Sequence, residues 1–442
     1  MAGMRYGRFM TVKARGLNLD MILDEPVDWR FKSFPAGAPT TIREVRAQGW
    51  NVLGSDFLPP VMVLKDAALR HNSKLVAAYC KRHDFLLAPH GKTTMAPQLL
   101  KLQLEDGAWA VTAATTSQVR VWRAMGVERV ILANQLVEPA AIRWVASELD
   151  ADPGFDFYCL VDSVAGVRLL ESSLGGTTLS RRLQVLLEAG PKGGRSGCRT
   201  HEAAVEVARA VAGSRRLALA GVEAFEGVID APTLGGTIHA VDDFLQDMRA
   251  LVQELDGADL FAQSAAVTVT AGGSAFPDRA VACLGGEWNL SRPVRLVLRS
   301  GCYLTHDAAH YQQLSPFGGR IPQTGRLEEA LEVWGAVLST PEPGLAILGF
   351  GKRDVPHDLE LPVPRLVKTP GPQPPIPLRA EASISKVMDQ HAFLKVSADA
   401  NLKVGDLVGC GISHPCTAFD KWRLIPVVDE GYVVIDAVLT YF

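Results

Sequence analysis

The sequence predicts an α/β fold of the (β/α)8 barrel type joined to an all-β domain, and three observations carry that prediction. From residue 61 to about 300, short apolar runs alternate with amphipathic helical stretches, the texture of repeated βα units and a parallel sheet. After about residue 320 prolines crowd the stretch from Pro341 to Pro377, and short β-like pieces separated by turn residues follow. No Gly-x-Gly-x-x-Gly opens a helix after the early runs, which counts against a doubly wound dinucleotide-binding sheet.

Taken in order, the apolar runs are Val61–Leu64, Phe85–Ala88, Trp109–Ala113, Val130–Ala133, Phe155–Val161, Leu183–Glu188, Leu217–Phe225, Ala266–Ala271 and Val294–Arg299. Helical patterns such as Ala67–Arg82, Ser117–Met125, Glu138–Leu149, Glu202–Ala212 and Val241–Leu255 lie between them. Nine runs are one too many for an eight-stranded barrel, so the first or the last belongs elsewhere. The later pieces, Ala382–Val387, Ala392–Val396, Leu407–Cys410, Arg423–Val428 and Tyr432–Leu439, read as strands, with Gly405-Asp406 and Asp429-Glu430-Gly431 as turns. Thr40–Gln48 reads as a short capped helix. The expected division is 1–64 as a segment contributing to the β domain, 65–318 as the barrel and 319–442 as the β domain.

Composition narrows the class. At 442 residues, with 48% hydrophobic and 21% charged side chains, the chain reads as a globular protein of two domains. A net charge of −3 without a Lys/Arg run predicts no nucleic-acid partner. No stretch reaches about 18 apolar residues and the N-terminus lacks a signal-like apolar core, so neither membrane nor secretion is expected. Seven widely spaced cysteines without Cys-x-x-Cys suit a reducing cytoplasm.

Chemistry in such a barrel belongs at the C-terminal ends of the strands. Lys92, in Pro89-His90-Gly91-Lys92, stands where the Phe85–Ala88 run ends. It is either a surface lysine in a βα loop or a Schiff-base lysine for pyridoxal phosphate, its amine held still and its pKa lowered by apolar walls. Gly272-Gly273-Ser274 and Gly301 sit at the ends of the last two runs, where barrels recurrently bind phosphate. Arg195 and Arg299 also stand at strand ends, and an arginine on a pyridine nitrogen would leave that ring neutral. In the β domain, Ser413-His414-Pro415-Cys416-Thr417 places a histidine and a cysteine at i and i+2. In an extended segment these project to one side and could share a zinc ion at about 2.0–2.1 Å (N) and 2.3 Å (S); otherwise they are a buried cysteine beside a surface histidine. His391 is a candidate outer partner of that pair.

These residues together resemble a fold-type III pyridoxal phosphate enzyme of the D-serine dehydratase and D-threonine aldolase group, from about residue 57 to 442. The resemblance rests on Pro-His-Gly-Lys92, Ile131-Leu132-Ala133-Asn134-Gln135, Gly194-Arg195-Ser196-Gly197, Gly272-Gly273-Ser274, Arg299-Ser300-Gly301-Cys302-Tyr303 and His414-Pro415-Cys416, in the family's order. It implies a barrel of the alanine racemase N-terminal type whose β domain takes its first strand from N-terminal residues, removing Val61–Leu64 from the barrel. It implies a homodimer, Lys92 as the Schiff-base lysine, Arg195 near the cofactor's phenolic oxygen and Arg299 near its ring nitrogen. Gly272, Gly273, Ser274, Gly301 and Tyr303 would lie around the phosphate.

Within the group, His-x-Cys marks zinc-using dehydratases and His-x-Asp marks aldolases, so His414 and Cys416 imply zinc, or another divalent metal, and a D-3-hydroxy amino acid converted to a keto acid and ammonia. Retro-aldol cleavage to glycine and an aldehyde is the alternative. A single-barrel cofactor carrier lacks the second domain, and an alanine racemase has no use for a metal pair. The chain departs from the better-known members at Thr94, where they carry a histidine, and at Phe225-Glu226, where they carry Tyr-His. It resembles the amino acid deaminase subgroup.

Overall fold

The structure is a computed structural model and describes residues 17–35, 37, 40–177, 179–378, 381–397 and 400–442. Residues 1–16 of the N-terminal segment lie outside the described residues. The chain divides into two compact units. The first is built around Ala77–Lys92 and Gln103–Gly301; Asn18–Val76, Thr93–Leu102 and Cys302–Phe442 make the second.

Eight parallel strands run in sequence order round the first unit: Leu86–Leu87, Val111–Ala113, Arg129–Gln135, Asp156–Val161, Leu183–Ala189, Leu217–Ala224, Val267–Ala271 and Val294–Leu298. The last pairs with the first, Val297 beside Leu86 and Leu298 beside Leu87. Between the first and second strands Trp109 N donates to Leu87 O (2.7 Å) and Thr112 N to Pro89 O (2.9 Å), closing the sheet into a ring. Closure removes every open edge and leaves both faces covered, which is why these strands read as unbroken apolar runs. Small residues, Ala88, Ala110 and Ala220, fill the interior with Ile131, Tyr158, Leu160, Leu186 and Val297. At Gly221 (φ +154) the neighbouring strand comes so near that a Cβ would stand 1.8 Å from Thr268 O.

The helices begin where the sequence offers caps. Thr115, Ser163, Thr200 and Thr233 each accept a hydrogen bond from the N–H three residues on, opening Thr116–Ala124, Val164–Leu174, His201–Ala212 and Leu234–Gly257. Pro139 and Pro277 begin Pro139–Ala151 and Pro277–Leu284, where a missing N–H costs nothing. Among the described residues no helix is long and apolar enough to cross a membrane.

The second unit is mainly antiparallel sheet around the long strand Leu331–Glu342, which pairs with Leu407–Gly411 and Leu345–Leu348. The ninth apolar run has its place here. Val61–Lys65 lies antiparallel to Leu331–Glu342 and parallel to Leu424–Val428. Glu332 ties them, accepting from Lys65 Nζ (2.9 Å) and from the Tyr432 hydroxyl (2.9 Å). Val363–Lys368 and Ile376–Pro377, in the proline-rich stretch, each carry a proline. The second is a sheet edge, and the first shifts register between Pro364 and Leu366, the two ways a chain lacking those N–H groups enters a sheet. Ile42–Gln48 is a 3-10 helix whose Glu44 carboxylate accepts from Thr41 N (3.3 Å).

Candidate active site

In the first unit, the chain turns through Pro89-His90-Gly91-Lys92 directly after the first barrel strand. Gly91 lies flat on the buried Trp122, and a Cβ there would meet its ring at 2.6 Å and Val111 at 2.8 Å. Only glycine fits, and the turn fixes where Lys92, half-buried, begins. Burial, then the charges of Lys92, Arg299 and Arg195, hold the pKa of His90 well below the usual range. Three cations thus converge on one neutral imidazole, leaving room for negative charge at this end of the barrel.

Arg195 is exposed, its guanidinium stacked on the Phe225 ring at 4.9 Å. Its loop, Gly194–Gly197, is held by Arg199, which donates to Gly194 O (2.8 Å) and Gly197 O (3.1 Å). Arg299 is buried and donates to the Glu223 carboxylate and to Ala224 O (2.7 Å), while its Nε has no partner. Burial pushes Glu223 up to about 7, against the pull of Arg299 and aided by Glu188 and Glu226. Glu188 accepts from Ser196 Oγ (2.8 Å) and from the Gln135 amide.

The glycine turn brings a finding the sequence did not show. Gly272 N and Gly273 N do not stand open for an anion. They donate to Glu226 at 3.1 and 2.6 Å, and burial raises that carboxyl's pKa. Glu226, which stands where the better-known members carry a histidine, is a buried clamp on the turn. Ser300 Oγ donates to both carbonyls, Gly272 O and Gly273 O (3.0 Å each). Ser274 and Gly301 flank the same strand ends, whereas Tyr303, buried, belongs to the second unit.

The second unit brings His414 and Cys416 together, though not as expected. The segment is not extended: His414 takes φ +51 and Cys416 opens a short helix, Cys416–Phe419, so a tight turn sets the pair. Asp307 fixes that turn by accepting from His414 N (3.1 Å). The His414 ring hydrogen-bonds Cys416, and its Nδ1 meets Asp358 Oδ2 at 2.5 Å. These contacts, Cys416 first, raise His414 to about 9 against the cost of burial. Hydrogen bonds with Cys302, His414 and Thr93 hold Cys416 well below its usual value against the cost of burial. Asp358, not the exposed His391, is the outer partner.

Residues 330–428 of the second unit match the family model described as "Putative serine dehydratase domain". The chain is 26% identical over 355 residues to 3-hydroxy-D-aspartate aldolase of Paracoccus denitrificans, covering 80% of this chain and 84% of that one. It is 22% identical over 380 residues to D-threonine aldolase of an Arthrobacter species, covering 85% and 90%. The crystal structure of D-threonine aldolase from Filomicrobium marinum superposes with a TM-score of 0.71 at 22% identity, over 89% of this chain and 96% of that one. D-threo-3-hydroxyaspartate dehydratase from a Delftia species superposes at 0.66 and 18% identity, over 88% and 99%.

The chain resembles the fold-type III pyridoxal phosphate enzymes and shares their fold.

The first unit fits that cofactor. Lys92, Arg299 and Arg195 converge on His90, and Arg299 Nε and His90 Nδ1 are buried without partners, as groups awaiting a ring and a phosphate would be. The donor set of the second unit, a cysteine sulfur and an imidazole whose Nδ1 is held by a carboxylate, is of the kind a divalent metal takes. Glu223, Glu188, Arg199 and Asp358 escaped the sequence reading. A glutamate inside the unbroken apolar run Leu217–Phe225 was the one signal that could have found Glu223; Asp358 lies in no motif.

Proposed function

We propose that this chain is a pyridoxal phosphate-dependent lyase that removes the β-hydroxyl of a D-3-hydroxy amino acid and yields a keto acid and ammonia. The observation that carries the reading is the His414–Cys416 pair with its Asp358 support, the donor set of a Lewis-acidic metal. D-threo-3-hydroxyaspartate dehydratase has been solved with a histidine, and separately with a cysteine two positions on, replaced by alanine, the latter in a metal-free form. That spacing is the spacing of His414 and Cys416.

Lys92 Nζ would hold the cofactor, and the same atom would take the α-proton. Bound pyridoxal phosphate supplies the sink for the electron pair released at Cα. Arg299 would stand at the ring nitrogen. It gives that nitrogen no proton, so the sink is weak and the leaving hydroxyl needs help. His414 and Cys416 would hold a zinc ion, or a like divalent metal, which would supply Lewis acidity. Arg195 would hold the phenolic oxygen, while Ser274 and Gly301 would lie by the phosphate; the Gly272 and Gly273 N–H groups are taken by Glu226. The reading extends to a homodimer in a reducing cytoplasm, supported by the family resemblance and by cysteines that are all free.

The names of the curated relatives favour a second reading, retro-aldol cleavage to glycine and an aldehyde. A product assay separates the two. Purified protein with pyridoxal phosphate is offered D-serine, D-threonine, D-threo-3-hydroxyaspartate and D-phenylserine, after chelation and after zinc is restored. The expected outcome is zinc-dependent ammonia and keto acid; glycine plus aldehyde would make the chain an aldolase.

A further inference from the structure

Glu223 does more than neutralise Arg299. It stands in register beside Glu188, on the neighbouring strands Leu217–Ala224 and Leu183–Ala189, and both carboxyls are buried. Glu188 has a donor on each oxygen, Ser196 Oγ on one and the Gln135 amide on the other. Glu223 has one oxygen on Arg299, while the other, Oε2, is buried with no partner. Two carboxylates side by side repel, and of this pair only Glu223 keeps an oxygen open to a proton. Its register neighbour on the other flank is Thr270, which carries no charge. The charged groups that act on Glu223 are therefore Arg299, Glu188, Glu226 and Arg195.

Arg299 shows the complementary pattern. Its Nη2 group has two N–H bonds, and both are spent, one on Glu223 and one on Ala224 O (2.7 Å). Its Nε–H is a buried donor with no partner. The guanidinium is a rigid planar fork, so it cannot turn without breaking both Nη2 bonds, and its spare N–H keeps one direction. An arginine does not titrate in the neutral range, so any change in the charge of this pair comes from the carboxyl.

We infer that Glu223 is a positioning residue for the cofactor ring: it holds Arg299 with one N–H free for the ring nitrogen, and its own proton sets how much positive charge that nitrogen meets. The inference rests on the pyridoxal phosphate reading above and deepens it. With Glu223 protonated, the guanidinium charge stands uncompensated and draws on the ring more strongly. With Glu223 ionised, the pair is neutral overall and draws less. The electron sink therefore weakens as pH rises through about 7, the value to which burial lifts Glu223.

The test is the absorbance of bound pyridoxal phosphate against pH in the full-length protein, comparing wild type, Glu223→Gln and Glu223→Ala. Cofactor affinity is titrated on the same preparations, and neither readout needs turnover. In wild type the absorbance should change through an inflection near 7. Glu223→Gln keeps the size and a hydrogen-bonding oxygen, so it should bind the cofactor nearly as tightly yet lose the inflection. Glu223→Ala should bind at least about tenfold more weakly, the effect of losing one hydrogen bond between charged groups. A merely structural glutamate would not tie the inflection to its own charge. An unchanged inflection in Glu223→Gln, or wild-type affinity in Glu223→Ala, would overturn the inference and leave the cofactor reading standing. No cofactor binding by the wild type would overturn both. Should the variants fail to fold, the wild type decides: an inflection near 7 supports the inference, and a spectrum constant through neutral pH refutes it.

Discussion

Gly91→Ala is the sharpest test of how the barrel places its lysine. A Cβ at residue 91 would lie 2.6 Å from the Trp122 ring and 2.8 Å from Val111. Ordinary carbon contacts are about 3.5–4.0 Å, so something must move by nearly 1 Å. Trp122 and Val111 are fully buried and cannot retreat, so the Pro89–Lys92 turn moves. Overpacking of this kind costs about 1–3 kcal/mol. The chemical cost is larger, because a displacement near 1 Å at a reacting group can lose about 100-fold in rate. Urea unfolding, cofactor absorbance titration and turnover on one preparation separate the two effects. The expected variant is folded, modestly destabilised, weak in cofactor binding and nearly inactive. A variant as stable and as active as wild type would refute the argument that this contact positions Lys92.

Other outcomes follow from the same contacts. In Glu223→Gln the pH dependence of stability should change shape. The folded carboxyl keeps its proton up to about 7 while the unfolded one releases it near 4.5, so its contribution is present below about 4.5 and is lost as pH rises through about 7. That limb, about 3 kcal/mol, should vanish from urea midpoints measured across the interval. Asp358→Asn removes the carboxylate on His414 Nδ1 and should weaken zinc binding roughly 10–100-fold in chelator competition, with the fold intact by circular dichroism. Gly221→Ala drives a Cβ into backbone at Thr268 O (1.8 Å), where no side chain can yield, and should abolish soluble expression.

The barrel was legible because each of its strands is buried on both faces, so apolar runs and strands coincide; Asp156–Val161 and Leu217–Ala224 are buried at almost every position. The helix starts were legible in Thr115, Ser163, Thr200 and Thr233, whose hydroxyls act within three residues. Strands such as Val363–Lys368 were hidden because proline content predicts loops, and only the sheet edge and the register shift admit them. At the site, motif residues could be named, yet what holds them could not. Arg299 meets Glu223 across 76 residues and His414 meets Asp358 across 56, distances over which local patterns carry no signal. The clamp of Glu226 on Gly272 and Gly273 was invisible for the same reason.

The strand Val61–Lys65 waits a long time for its partner. Lys65 meets Glu332 across 267 residues of chain. At about 5–20 residues per second, a ribosome needs roughly 15–50 s to deliver the far strand after the near one. Throughout that interval a segment of four residues destined for full burial, Val61-Met62-Val63-Leu64, has no sheet to join. During synthesis it is a sticky β-prone end that invites pairing with neighbouring nascent chains. Heterologous yield should therefore depend on translation speed and chaperone supply more than the stability of the finished protein would suggest.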